Sequence, residues 1–350
     1  MAHPKALVAG ALGIVGRNLC EDLLVDGRWD VVGIARRSPK QPVGWRLAPV
    51  DLTDAGACRA LIVSEPGITH LFYAARAPDP DPGTEAALNQ RMLENLVVPL
   101  DELAQGLEHV NLMHGTKWYG SHFGPYRTPA KESDPRHFPP NFYFDQLDWT
   151  EARQRGGRWT WSALRPHLVC GYSLGYPHNV IAVLGVYAAV SRELGLPLRF
   201  PGTQACFDAV CQMTDARILA QAMRWAATEP RAANQSFNIV NGDLFRWKNL
   251  WEKLARHFGM ENGGVQTVPL AKLMADKEPL WASIVKKHGL RPLAMAEIAN
   301  WTYADSTFSQ GWDHISSPMK SRLAGFQACI DTEDMFIEHL ERFRMEKVIP

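Results

Sequence analysis

The sequence has no excess of either charge: 37 lysines and arginines balance 37 aspartates and glutamates. Without a net field the chain has no general means of holding a nucleic-acid backbone or an anionic membrane surface, so neither is expected as a partner. It has no apolar window of about 18 residues, and no spanning helix is expected. Its six cysteines, Cys20, Cys58, Cys170, Cys206, Cys211 and Cys329, form no CxxC and no paired spacing. The simpler reading is a reduced, cytoplasmic protein that needs no disulfides. His114 and His122 flank one loop but share no spacing such as HExxH; both read as loop or pocket residues, and no metal site is expected. Internal repeats and low-complexity tracts are missing too. At 350 residues the chain is long enough for one large or two coupled domains around a substantial core.

The sequence does have a rhythm. Short apolar runs at 5–9, 31–35, 69–73, 110–114 and 160–164 alternate with helix-patterned stretches near 14–26, 54–64, 84–106 and 142–156. That alternation predicts an α/β fold, a Rossmann-type doubly wound parallel sheet with helices on both faces. The apolar run after Lys5 is broken by glycines at fixed positions, which a secretory signal does not require. After Arg165-Pro166 the pattern becomes irregular, and loops and short helices are expected over the carboxyl ends of the strands. A helix at 215–226 and a strand at 236–240 read as returning to the sheet or its edge. The expected division is a cofactor-binding domain at 1–170, with segments near 205–242 rejoining it. A smaller, mostly helical substrate-binding region occupies 171–350, interleaved with the first and carrying helices at 245–258 and 332–345.

Gly10-Ala11-Leu12-Gly13-Ile14-Val15-Gly16 follows the first strand and opens the first helix. A pyrophosphate needs a tight turn that brings backbone N–H groups and a helix N-terminus close, with a last glycine letting helix pack on strand. The second strand ends in Ala35-Arg36-Arg37-Ser38, where an NAD-selective fold places an acidic residue for the ribose 2′-hydroxyl. Two guanidinium groups and a hydroxyl suit a 2′-phosphate instead, so NADP(H) is the expected cofactor; the bland reading is a solvated basic loop. Asp51-Leu52 fits an adenine contact, and Tyr73-Ala74-Ala75 fits the ribose and pyrophosphate. Pro166, His167, Leu168 and Val169 fall where a strand end meets the nicotinamide. His167 reads either as a carboxamide contact through its backbone or as a satisfied core histidine.

One expected dyad is missing. Tyr-x-x-x-Lys puts a lysine one helical turn after a tyrosine, so that its charge lowers the phenol pKa. Here Tyr119 is followed four residues later by Phe123, Tyr143 by Leu147 and Tyr172 by Tyr176.

Gly115-Thr116-Lys117-Trp118-Tyr119-Gly120, Phe123-Gly124-Pro125 and Asn141-Phe142-Tyr143-Phe144-Asp145-Gln146 resemble the progesterone 5β-reductase/iridoid synthase-like (PRISE) family of atypical short-chain dehydrogenases/reductases. Leu164-Arg165-Pro166-His167, Asp215-Ala216-Arg217 and the stretch from Phe237 to Asp243 are similar to family segments in the same order. Phe144 and His167 depart from the plant pattern, which bears on substrate more than on cofactor. The resemblance implies that Tyr143 and Lys117 replace the usual dyad. It also implies NADPH-dependent reduction of the activated C=C bond of a small hydrophobic enone or enal. Hydride adds to the β-carbon, Tyr143 stabilises the enolate oxygen, and Lys117 holds the cofactor ribose or tunes Tyr143. Trp118, Phe123, Tyr126 and Phe142 would make an apolar wall, or would simply be core. A homodimer follows from the resemblance alone. The open alternatives are an NADPH-dependent carbonyl reductase or sugar-nucleotide epimerase/dehydratase, and a non-catalytic NADP-binding sensor.

Overall fold

The computed structural model describes residues 3–39, 42–176 and 178–350. The first half runs β1 (Lys5–Ala9), α1 (Ile14–Asp26), β2 (Asp30–Ala35), β3 (Arg46–Pro49), α2 (Ala55–Ser64), β4 (His70–Tyr73), α3 (Pro82–Leu103), β5 (His109–Met113), α4 (Phe142–Gln154) and β6 (Thr160–Pro166). The second half runs β7 (Leu168–Cys170), α5 (Val180–Glu193), β8 (Leu198–Phe200), α6 (Gln204–Asp208), β9 (Met213–Asp215), α7 (Ala216–Thr228), β10 (Gln235–Ile239), α8 (Trp247–His257) and β11 (Asn262–Val265), then shorter helices and a last helix, Thr332–Met345.

Seven strands form one parallel sheet in the order β10-β6-β5-β4-β1-β2-β3. The chain winds outward from β1 to β3, then returns to place β4 on the other side of β1. That reversal opens a crevice at the carboxyl ends of the strands, where doubly wound sheets bind ligands. Residues along β1 alternate between faces with period two. Ala6 and Val8 join the core under α1 and α7 with Leu19, Leu23, Leu219 and Met223. Leu7 and Ala9 join the opposite core under α2, α3 and α4 with Leu61, Leu96 and Leu147.

Several elements differ from the sequence pattern: the short strands β7, β8, β9 and β11 pair as two small sheets where loops and short helices are expected, and β3 and α5 are further cases. β3 is a four-residue edge strand, half-exposed and ending in Pro49; an edge tolerates proline, and its short apolar segment is too brief to read as a strand. The stretch after Arg165-Pro166, expected as loops and short helices, contains the 14-residue helix α5. It is buried from Val180 to Ser191 and shows no one-sided stripe, because it lies at the centre of a third core with Phe200, Trp247, Trp251 and Phe336. No helix among the described residues is long and apolar enough to cross a membrane.

Candidate active site

The carboxyl ends of β1, β2, β4, β5 and β6 open into a cleft of ≈ 1150 Å³, closed from the far side by the C-terminal region. Gly10, Leu12, Gly13, Ile14 and Val15 form one end. Gly10 sits at φ +80°, and a Cβ there would lie 2.7 Å from the Ala74 carbonyl oxygen. The Gly13 N–H donates to the Gly10 carbonyl at 3.0 Å, and a Cβ on Gly16 would run into that same carbonyl. Gly16 therefore acts from beneath, by letting α1 approach the turn. Gly13 caps α1 without a side chain, so the first-turn N–H groups keep no side-chain acceptor and can meet a pyrophosphate.

At the end of β2, Ala35, Arg36, Arg37 and Ser38 border the same cleft. Both arginines are exposed, and among the described residues neither is in an ion pair. Asp51 spends its carboxylate on the Thr53 N–H and hydroxyl, each at 2.9 Å. Those bonds and nearby Arg36 hold it below the usual carboxylate range. It does not border the cleft, whereas Leu52 does. Tyr73 is buried in the core beneath α2 and α3, leaving Ala74, Ala75 and the adjoining Arg76 on the cleft. The glycine cradle, the open helix terminus and the guanidinium pair together fit a phosphorylated dinucleotide.

The other end is built on β5, α4 and the turn between them. Asn141 caps α4: its Oδ1 accepts from the Tyr143 N–H at 3.0 Å, and its Nδ2 donates to the Lys117 carbonyl at 3.0 Å. One side chain thus ties the start of Tyr143's helix to the one-turn helix Thr116–Tyr119 that carries Lys117. A Cβ on Gly115 would lie 3.4 Å from the Tyr143 hydroxyl and 3.6 Å from the Pro166 carbonyl, which puts the phenol at the ends of β5 and β6. Burial pushes that phenol up to about 12, Arg76 opposes the shift, and Glu85 and Tyr176 add to it. Burial, then Arg76, pulls the Lys117 ammonium below its ordinary value. His114 lies parallel to both Tyr143 and Trp118, at 4.8 Å and 5.9 Å between ring centroids. Burial, Arg165 and Arg136 keep its imidazole neutral.

Tyr143, Lys117, Pro166, Leu168 and Val169 all border the cleft, as does His167. The His167 N–H already donates to the Thr214 hydroxyl at 3.0 Å, and its Nε2 pairs with the Ser316 hydroxyl at 2.8 Å. Burial takes its imidazole down to about 3. It is a satisfied core histidine whose backbone donor is not free for a carboxamide.

The four aromatics expected as a wall do not line the cleft. The Trp118 indole is covered by the Arg165 guanidinium, 3.6 Å from its ring, and by Phe144. Tyr126 stacks on Tyr119. Phe142 turns its ring edge-on to Tyr143 inside the fold, and Phe123 is 74% exposed on a loop. The tight turn at Lys117 leads into Trp118, Phe123 and Tyr126, which go into the core or outward, and the start of α4 buries Phe142. The facing wall comes instead from Leu174, Tyr176, Met213, Trp247 and Tyr303, which come from separate stretches of the second half of the chain. Arg76 was also missed, although it directly follows Tyr73-Ala74-Ala75.

The PRISE-like Rossmann-fold domain family matches residues 58–350. The chain is 35% identical to (S)-8-oxocitronellyl enol synthase of Catharanthus roseus, with 99% of this chain and 92% of that protein covered. It is 32% identical to 3-oxo-Delta(4,5)-steroid 5-beta-reductase of Arabidopsis thaliana, with 99% and 93% covered. Among solved structures, the Bordetella bronchiseptica enzyme WbmG with NAD and UDP is similar with a TM-score of 0.69 at 19% identity, covering 99% of this chain and 97% of the other. UDP-glucose 4-epimerase of Thermotoga maritima with UDP-glucose is similar with a TM-score of 0.69 at 15% identity, covering 97% and 99%. At these identities the structural likeness is one of fold.

Proposed function

Because this chain belongs to the PRISE-like family of Rossmann-fold short-chain oxidoreductases, we propose that it reduces the activated carbon–carbon double bond of a small enone or enal with NADPH, Tyr143 acting as hydrogen-bond donor to the carbonyl oxygen. The main support is that Tyr143 and Lys117 share one cleft with the glycine turn and have their local frames joined by Asn141. In this reading residues 1–170, with the returning segments near 205–242, hold the cofactor, and residues 171–350 mainly hold the acceptor.

A reduced nicotinamide supplies the hydride when bound. The N-terminus of α1 takes the pyrophosphate, and Arg36, Arg37 and Ser38 take the 2′-phosphate that distinguishes NADPH from NADH. Lys117 holds the ribose. Burial, which raises the phenol to about 12, keeps Tyr143 protonated throughout the neutral range. As the β-carbon gains hydride, charge moves to the carbonyl oxygen, and a preorganised O–H donor stabilises it more than it stabilises the uncharged acceptor. Protonation of the α-carbon by water then completes the saturated carbonyl product. Tyr176, Trp247 and Tyr303 keep the reacting face largely apolar.

The test is cofactor oxidation, with NADPH and NADH in parallel, against cyclic enones, acyclic enals, a steroid enone and matched saturated ketones, with product identification. Saturated carbonyl products with NADPH preferred are expected. Alcohol products would replace this reading with a carbonyl reductase, and binding without turnover would replace it with a cofactor sensor.

A further inference from the structure

The helix that carries Tyr143 has Leu147 where a Tyr-x-x-x-Lys dyad has its cation, and Leu147 is buried in the core. The phenol therefore takes any charge assistance from another element. Lys117 shares the cleft, but a second cation is fixed more firmly. Arg76 follows β4, and its Nε and Nη2 both donate to one oxygen of Glu85, at 2.8 Å and 2.5 Å. Glu85 is in the first turn of α3, where the helix dipole favours a carboxylate and so steadies the pair. The guanidinium carbon lies 6.0 Å from the ring of Phe142, the residue before Tyr143, and the arginine borders the same cleft as the phenol.

We propose that the Arg76–Glu85 pair sets the donor strength of Tyr143: Arg76 is a positioning residue in place of the missing helix lysine, and Glu85 moderates it. The proposal rests on Tyr143 being the donor. A cation beside a phenol favours the charge that the phenol's proton sharing creates, and in a water-poor cleft that interaction is weakly screened. The carboxylate pulls the other way, consistent with the opposed influences of Arg76 and Glu85 on the phenol. The remaining groups around Tyr143 are His114 at the end of β5, Lys117 on the following turn, and Tyr176 and His178 on the segment after β7. His114 is held neutral, and on α4 itself the nearest acid, Asp145, is exposed.

The experiment compares full-length wild type with R76Q, R76K, E85Q and Y143F, measuring kcat, KM for NADPH and the pH dependence of kcat with a simple cyclic enone. R76Q is expected to lower kcat about tenfold, the equivalent of one pKa unit of donor strength, with KM for NADPH unchanged and R76K restoring most of the loss. E85Q is expected to bring the alkaline fall of kcat to lower pH than in wild type. If R76Q does not fold, R76K and E85Q carry the test. An E85Q profile that matches wild type would overturn the proposal, as would R76Q and E85Q losing activity alike with no change of profile. Full activity in Y143F would instead remove the donor assignment on which the proposal rests.

Discussion

The imidazole of His114 lies against the phenol ring of Tyr143, with centroids 4.8 Å apart and planes at 28°. Among the described residues neither of its buried ring nitrogens has a hydrogen-bond partner. The ring packs on Tyr143 while carrying buried polar atoms that no described residue satisfies, each costing about 1–3 kcal/mol. His114→Phe keeps the stacking surface and removes the orphans, so its urea midpoint should equal or exceed that of wild type, with most of kcat retained. His114→Ala should lower both, because the phenol loses its support and a cavity opens. Equilibrium unfolding and steady-state kinetics on the two variants check this.

Tyr143→Phe removes only the hydroxyl. Loss of one preorganised donor to a developing oxyanion lowers kcat by about 10²–10³, and NADPH affinity, measured by fluorescence titration, should stay the same. Lys117→Met should show the reverse emphasis, with the larger change in NADPH affinity and the milder one in kcat.

Asn141 bonds both the Tyr143 N–H and the Lys117 carbonyl. Asn141→Ala should cost about 0.5–2 kcal/mol, the range for a helix N-cap, and also reduce kcat. Asn141→Asp keeps the cap but cannot donate to Lys117, so it should recover stability without recovering full activity. Thermal melts alongside kcat separate the two.

Arg36→Ala with Arg37→Ala should raise KM for NADPH by about 10–100-fold, as expected for lost hydrogen bonds to a charged phosphate. KM for NADH should change little. Equal losses for both cofactors would move the 2′-phosphate elsewhere.

His109 lies in β5 between the Thr160 and Ser162 hydroxyls, at 2.8 Å and 2.7 Å, and burial lowers its imidazole from 6.5 to about 3. His70 and His167 are lowered to about 4 and about 3 by the same cause. Above the unfolded value both states are neutral, and this contribution is fully present. Below it the unfolded chain takes up a proton that the native state resists until the folded value is reached. Stability therefore falls with pH between about 6.5 and 3, by about 1.4 kcal/mol per unit for each such histidine at most. Urea midpoints across this range should show the fall, and His109→Gln should flatten it by one proton's worth.

Much of the fold was legible because it is written locally. Strands such as β1 and β2 are nearly continuous apolar runs, as buried parallel strands are, and the glycine turn puts its three required positions within one short segment. β3 escaped notice because an edge strand needs little apolar surface, and α5 because a helix buried all round carries no stripe. At the site, Lys117 and Tyr143 stood out by family motif, and structure puts them on one cleft. Trp118 and Tyr126 follow Lys117 in sequence and Phe142 directly precedes Tyr143, but the turn at Lys117 and the start of α4 send neighbouring side chains in different directions.

The sequence by itself determined the alternation that makes a doubly wound sheet, the phosphate-binding turn, the basic end of β2 and the absence of the usual tyrosine–lysine dyad, since each depends on residue type and short spacing. Only the tertiary structure decided that His167 is spent on Thr214 and Ser316, that the facing wall comes from the C-terminal region, and that Arg76 is anchored by Glu85 beside the start of Tyr143's helix. Those are contacts between segments far apart in the chain. They exist because the reversal between β1 and β4 brings the carboxyl ends of the strands together, and no local pattern records which side chains will meet there.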